Sequence, residues 1–281
     1  MQDPSSAKSR RATAYLMESE EEAIRLDVKT DRDAVRRQAL WCGVGPGLRV
    51  LDAGCGAGIT TSILADVVVP GGGVLGVDYS PQRIDYAAAH YGGERGVAFA
   101  LHDLREPLTR FGTFDLIWVR FVLEYHRSAA GAIVRNLLEC LKPGGRLCLL
   151  DLDYNCLTHH ELPEATMDAL QKIMRAVDER FDFDTFIGRK LYSLLYDAGL
   201  EDIRVELAAH NLFYGPMKES DKFNLMKKIE IAGSAVNDVI EACYPGGYAR
   251  FYEDFVRHLD DPRRFTYTPL LMTSGRKPAS G

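Results

Sequence analysis

Long apolar runs are missing from this chain. The longest, Val67-Val68-Val69 and Leu147-Cys148-Leu149-Leu150, fall far short of the ~18 residues that a bilayer crossing needs. A membrane span is thereby excluded from the expectation. A cationic excess is missing as well: 34 Lys and Arg stand against 40 Asp and Glu, a formal net charge of −6, so no overall positive field exists to hold a phosphate backbone. Nucleic acid is not the expected partner. Six cysteines are present without a C-x-x-C pair, and Cys42, Cys55, Cys140, Cys148, Cys156 and Cys243 sit mostly inside apolar patterns, where a thiol behaves as a small hydrophobe. They read as reduced and structural. Residues 1–11 are polar and lead into the acidic stretch 18–22 rather than into an apolar segment, so no secretory signal is read and a cytoplasmic location is expected. Adjacent histidines point apart, and His159-His160-Glu161 has no third ligand at helical spacing; it reads as a solvated loop, and no metal is expected.

What is there is an ordinary globular mixture, 46% hydrophobic and 26% charged over 281 residues, enough for one large domain or two small ones. Two capping patterns, Ser19-x-x-Glu22 and Thr30-x-x-Asp33, predict short helices at the start, the second ending at Gly43. From Arg49 onward, β-type runs alternate with helical ones. Strands are predicted at 49–52, 74–78, 97–102, 114–119 and 146–152, with helices at 59–67, 81–91 and 129–141 between them. Such alternation predicts an α/β fold, a doubly wound, mainly parallel sheet with helices on both faces. Ser80 before Pro81 predicts an N-cap and first helical position, and Lys142-Pro143-Gly144-Gly145 predicts a turn into the fifth strand. Further on, a helix is predicted within 160–182, another at 189–198, a strand at 203–207, helix at 223–256 and a last strand at 265–273, with a frayed tail from Gly275. The organisation expected is an N-terminal helical lid segment (1–43), a binding core (44–154), an inserted helical lid (155–187) and the remainder of the sheet (188–281) with a helical insertion at 213–261.

The densest signal is Val50-Leu51-Asp52-Ala53-Gly54-Cys55-Gly56-Ala57-Gly58. Alternate glycines on a strand-to-helix turn let the backbone approach a ligand with no Cβ in the way. In the dinucleotide fingerprint G-x-G-x-x-G the third glycine would stand one position later, where this chain has Ile59, and a pyrophosphate is disfavoured. Twenty residues after Gly58, Asp78 ends the second strand, placed to accept hydrogen bonds from a ribose diol. Asp103 closes the third, where an acceptor can meet the exocyclic amine of a base.

These segments resemble the class I S-adenosylmethionine-dependent methyltransferases of the small-molecule type, similar to the ubiquinone and menaquinone methyltransferases, over roughly 49–152. The glycine loop carries the family pattern V-L-D-x-G-C-G-x-G; F-D-x-I stands as Phe114 to Ile117, followed by Val122-Leu123-Glu124-Tyr125; and K-P-G-G stands whole at Lys142 to Gly145. The resemblance implies a seven-stranded Rossmann-like sheet and S-adenosylmethionine as cofactor, with S-adenosylhomocysteine as product. It implies cofactor contacts from Tyr15, Asp52, Gly54, Cys55, Gly56, Gly58, Asp78, Tyr79, Asp103, Leu104 and Arg120. Tyr125 stands where the common form has His, which departs from the family pattern at a position next to the reacting end.

The activity so implied is in-line transfer of a methyl group to an O, N or C nucleophile of a small molecule. Positioning supplies much of such an acceleration, and where the acceptor bears a proton a base must remove it. Candidates are His126, Tyr125 and His160, with His159 and His210 as further imidazoles. Aromatics crowd the segments outside the core, among them Tyr15, Phe183, Phe213, Tyr244 and Phe251, and fit a closing lid over an apolar or aromatic acceptor, a homodimer interface, or plain core. A non-catalytic module of the same fold that binds the cofactor or scaffolds remains the alternative; methylation of RNA or protein lacks a basic stripe, and a nicotinamide oxidoreductase is opposed by the glycine spacing.

Overall fold

The computed structural model describes residues 30–93, 96–154 and 157–279. Tyr15 and the helix read at Ser19-x-x-Glu22 lie outside them. The elements run α1 (Arg32–Cys42), β1 (Arg49–Ala53), α2 (Ile59–Val68), β2 (Gly73–Asp78), α3 (Pro81–Tyr91), β3 (Val97–Leu101), β4 (Phe114–Arg120), α4 (Ala130–Glu139) and β5 (Leu141–Leu152), then α5 (Glu164–Phe181), α6 (Leu191–Asp197), β6 (Glu201–Tyr214), α7 (Glu219–Ala235), α8 (Asn237–Cys243), α9 (Gly247–Asp260) and β7 (Phe265–Arg276). Seven strands form one sheet in the order β3-β2-β1-β4-β5-β7-β6. The first five are parallel, and β7 enters antiparallel between β5 and β6.

Side chains alternate across a strand, and here each face finds its own helices. Leu51, Ala53, Ile117, Val119, Leu147 and Leu149 pack with Ile133, Val134 and Leu137 of α4 and Leu191 and Leu195 of α6. Val50, Leu116, Trp118, Cys148 and Leu150 pack with Ala39 and Cys42 of α1 and Leu64, Val67 and Val68 of α2. Because both faces are covered, the central strands read as continuous apolar runs. A third cluster draws its buried residues from α5 onward, with Leu170, Ile173 and Val177 of α5 against Leu225 and Ile229 of α7, Ile240 of α8 and Phe251 and Phe255 of α9, and half-buried Tyr125, Leu157 and Leu162 pack on its edge. The helical stretch read at 223–256 is thus three helices, broken at Val236 and by the glycine pair Gly246-Gly247.

Several local readings are corrected. The first described helix is capped by Asp31, whose carboxylate accepts from the Ala34 N–H at 2.9 Å, one residue later than Thr30. Ser80 occupies the N-cap of α3, but its hydroxyl donates to Gln82 Oε1 instead of capping. Lys142 to Gly145 belong to β5 and not to a turn: Leu141 pairs with Phe114, the register slips before Leu116, and the extra residues bulge. Lys142 Nζ meets Asp115 Oδ1 at 2.6 Å there. The tail read as frayed from Gly275 continues β7 to Arg276. Lys277 then returns to Gly145 through its N–H, while Lys277 Nζ donates to the carbonyls of Leu138 and Leu141.

Candidate active site

A cavity of about 400 Å³ opens at the carboxyl ends of β1, β2 and β4, where the strand order reverses about β1 and doubly wound sheets receive ligands. Its floor is the turn between β1 and α2. The N–H groups of Gly54 and Cys55 both donate to the Val77 carbonyl, Gly56 donates to Asp78 Oδ2 at 3.0 Å, and Gly58 to the Cys55 carbonyl. Gly54 and Gly58 hold positive φ, 81° and 91°, for two different reasons. A Cβ on Gly54 would lie 2.4 Å from Val122 in the loop after β4; one on Gly58 would lie 2.8 Å from Ala87 and 2.9 Å from Phe99. Gly54 therefore shapes the cavity wall, whereas Gly58 lies off it and lets α2 close on α3 and β3.

Asp78 is buried at the end of β2, with Oδ2 on the Gly56 amide and Oδ1 on the Ser80 amide. A carboxylate has about four acceptor positions, of which these two amides use two; the Arg83 guanidinium stands 3.8 Å from Oδ1 as its charge partner. Tyr79 stands exposed beside it on the wall. Asp103 lines the cavity too, but its carboxylate is gripped by Arg105, whose Nε lies 2.9 Å from Oδ1. That hydrogen bond holds the Asp103 carboxyl below its usual range. Leu104 and Cys55 are buried in the same wall, and burial pushes the Cys55 thiol up.

Asp52 sits behind this wall, 2% exposed, accepting from the Thr61 hydroxyl at 2.7 Å. Burial pushes its carboxyl up to about 7, against the Thr61 hydrogen bond and the charge of Arg120. Burial likewise pulls the Arg120 guanidinium down to about 10, opposed by Asp52 and Asp151. Arg120 donates to Gln38 of α1 at 3.1 Å and lies over the Phe121 ring, 4.0 Å from its centroid. Phe121 itself takes φ of 58°, unusual for a bulky residue, as β4 gives way to the short 3-10 turn Leu123–Tyr125.

Of the proposed bases, His126 and Tyr125 line the cavity; burial and then Arg105 lower the His126 pKa, so its imidazole is neutral at neutral pH. His210 of β6 is also on the wall, edge-on to Phe121. His160 is not: it is exposed, its backbone N–H donating to the Phe265 carbonyl and its ring Nε2 3.5 Å from Glu161 Oε1. His159 bonds Thr266 and stacks edge-on against Phe255, also off the cavity. The sequence reading passed over two groups that the fold brings together. Glu124, 3% exposed, reaches the cavity wall, and behind it Asp151 of β5 is 1% exposed. The signal was a carboxylate inside each apolar strand-end run, Val122-Leu123-Glu124 and Leu150-Asp151-Leu152. Gln38 of α1 and Lys228 of α7 complete the rim and carry no signal in sequence.

Residues 45–199, more than half of the chain, match the family described as "Methyltransferase domain". The chain belongs to this family. Among curated relatives, the chain is 32% identical over 127 residues to 2-methyl-6-phytyl-1,4-hydroquinone methyltransferase of Synechocystis, covering 44% of this chain and 39% of that one. It is 38% identical over 126 residues to magnesium-protoporphyrin O-methyltransferase of Rhodobacter capsulatus, covering 42% and 53%. The chain spans roughly a third to somewhat over half the length of the curated relatives it matches. Solved structures share its fold: a methyltransferase-like protein of Bacillus halodurans superposes with a TM-score of 0.55 at 18% identity, over 88% of this chain and 99% of that one. Phosphoethanolamine N-methyltransferase 2 of Haemonchus contortus, solved with S-adenosyl-L-methionine, gives 0.56 at 16% identity, over 92% and 57%.

Proposed function

We propose that the protein transfers the methyl group of S-adenosylmethionine to a small-molecule acceptor by in-line displacement. The observation that carries this reading is how the glycine turn uses its amides. Gly54, Cys55, Gly56 and Gly58 all donate within the protein, so these four N–H groups do not form the anion cradle that a pyrophosphate requires. What faces the cavity instead is a carboxylate, at Asp78, and a glycine at 54 that clears the wall. These residues fit a ribose joined to an amino acid.

In this reading Asp78 takes the ribose hydroxyls, Tyr79 and Leu104 flank the base, and Arg120 supplies positive charge for a carboxylate. The cofactor, when bound, supplies a methyl group activated on a sulfonium. Asp52 shapes the loop from behind the wall through Thr61 rather than touching the ligand. Asp103, already satisfied by Arg105, takes part in base binding only by sharing that carboxylate. His126, neutral and on the wall, is available to accept a proton.

The acceptor side is built by α7 and β6, which bring Asp221, Lys228, His210 and Asn211 to the cavity. We infer that the cluster of α5 and α7 to α9 is the lid over an apolar or aromatic acceptor, Phe121 and Tyr125 being its nearest rings. The edge strand β6, with Val205 and Leu207 exposed, supports self-association as a homodimer, which sedimentation velocity tests.

Calorimetry with S-adenosylhomocysteine and with NADH tests the cofactor reading. Saturable heat is expected with the first alone, and Asp78→Ala is expected to weaken it by roughly 10- to 100-fold, as the loss of one or two charge-assisted hydrogen bonds requires. Saturation with NADH alone would overturn it. Transfer of labelled methyl into an acceptor then separates catalysis from binding.

A further inference from the structure

Three lysines stand on α7, and two of them have an acid of their own. Lys222 pairs with Asp260, and Lys227 with Glu230 at 2.8 Å. Lys228 lines the cavity instead and forms no ion pair among the described residues. Its own helix offers it none: the residues three and four positions away are Asn224, Leu225, Ile231 and Ala232, and no acid is among them. Asp221, which also lines the cavity, is seven residues back and so about 10 Å along the axis.

Strand β6 brings a second polar group to the same cavity by a different device. Alternation along a strand would send His210 and Asn211 to opposite faces. The pairing with β7 slips between Ala209 and Asn211, and with this bulge Ala209, His210 and Asn211 all line the cavity. His210 sits edge-on to Phe121, centroids 4.8 Å apart, while the Asn211 side-chain amide, with two N–H donors, makes no hydrogen bond to a described residue. Several other charges on the wall are answered within the protein. Arg83 faces Asp78, Asp103 is gripped by Arg105, Asp31 caps α1, and Arg120 donates to Gln38. Arg37 adjoins Gln38 on α1, on the side assigned to the cofactor carboxylate.

Resting on the methyltransferase reading, we propose that Lys228 and Asn211 form the subsite for a carboxylate carried by the acceptor and so select its class. An ammonium supplies a point charge with three donors, and the amide supplies a donor for the second oxygen. A monoanion is matched there. A phosphate dianion would set excess negative charge against Asp221 on the same cavity wall. Phe121, Tyr125 and Leu152 line the apolar part of the wall, so the class selected is an aromatic or apolar body bearing one carboxylate. Donors that hold the carboxylate lone pairs make it a handle, and the methyl group goes to another atom of the acceptor.

The test is calorimetry on the full chain saturated with S-adenosylhomocysteine. The probes are 4-hydroxybenzoate and 4-hydroxycinnamate, each beside its uncharged carboxamide, and phenyl phosphate. At least one acid is expected to bind about 10- to 100-fold tighter than its amide, the worth of a hydrogen bond to a charged group, with the preference shrinking as salt is raised. Lys228→Met should erase that preference while leaving amide binding and S-adenosylhomocysteine affinity within about twofold; Lys228→Arg should keep most of it. Asn211→Ala should weaken the acid by about 3- to 10-fold and the amide less, as the loss of one neutral donor requires. Equal binding of acid and amide, an acid preference that survives Lys228→Met, saturation by none of the probes, or phenyl phosphate binding tighter than both acids would overturn the assignment. So would a Lys228→Met protein that loses S-adenosylhomocysteine affinity, since the lysine would then serve the cofactor. Failure of the parent chain to bind S-adenosylhomocysteine at all would instead remove the methyltransferase reading on which the subsite rests.

Discussion

At the scale of single residues, Asp52 is the most instructive group because its carboxyl is costly to ionise where it stands. With an unfolded value near 3.8 and a folded value of about 7, the protein gains protons on folding, so stability falls as pH rises between these two values and is level above them. Asp52→Asn is expected to be more stable than the parent at pH 8 by about 2–4 kcal/mol, with the gap gone below pH ~4. Chemical denaturation at the two pH values checks it. Gly58→Ala combines a strained φ of 91° with a Cβ pressed on Ala87 and Phe99, and a loss of about 2–4 kcal/mol is expected, measured as the shift in urea midpoint. The glycines and Asp78 were legible in sequence because backbone shape and a strand-end carboxylate leave a local pattern. The grip of Arg105 on Asp103 and the facing of Glu124 by Asp151 were not. The first depends on which way a short turn folds, and the second on two strands 27 residues apart meeting.

Elements show the same division between local and distant causes. Helix α3 starts at Pro81 because proline needs no N–H partner there, which sequence reveals; that Ser80 turns to Gln82 depends on a rotamer, which it does not. The glycine pair in Lys142 to Gly145 reads as a turn by composition, yet pairing with Phe114 on one side and with Lys277 beyond the end of β7 draws it into the sheet as a bulge. Strand β6 was read at five residues and runs to 14, because its far half is held by β7 and not by an apolar pattern of its own. Helix α1 depends on its cap: Asp31→Ala should cost about 1 kcal/mol and raise amide exchange in the first turn of α1, read by hydrogen-exchange mass spectrometry.

Across the whole molecule, apolar packing divides into the two faces of the sheet and the helical cluster of α5 and α7 to α9, which shares no buried residue with β1 to β5. Such a unit opens on its own terms. Phe251, fully buried, stacks on Phe255 with centroids 6.2 Å apart and meets Tyr244 edge-on, so Phe251→Ala is expected to cost the cluster about 3–5 kcal/mol. Native-state hydrogen exchange should then show α5, α7 and α9 exchanging faster while β1, β4 and β5 keep their protection; equal acceleration everywhere would mean that the molecule unfolds as one. This division was visible in sequence only as a break in the strand–helix alternation after Asp153, since which helices find one another is decided by contacts across nearly a hundred residues.

The place of β7 in the sheet sets an order of assembly. Among the described residues strand β6 pairs with β7 alone, and β7 is the one that joins it to β5. During synthesis the five parallel strands emerge first and are free to fold while β6 waits, its edges open, through about fifty further residues. Only when Phe265–Arg276 has cleared the ribosome does β6 gain its neighbour, and with it the wall that His210 and Asn211 give the cavity. A nascent chain stalled before that point would carry the glycine turn and Asp78 but only half of an acceptor pocket.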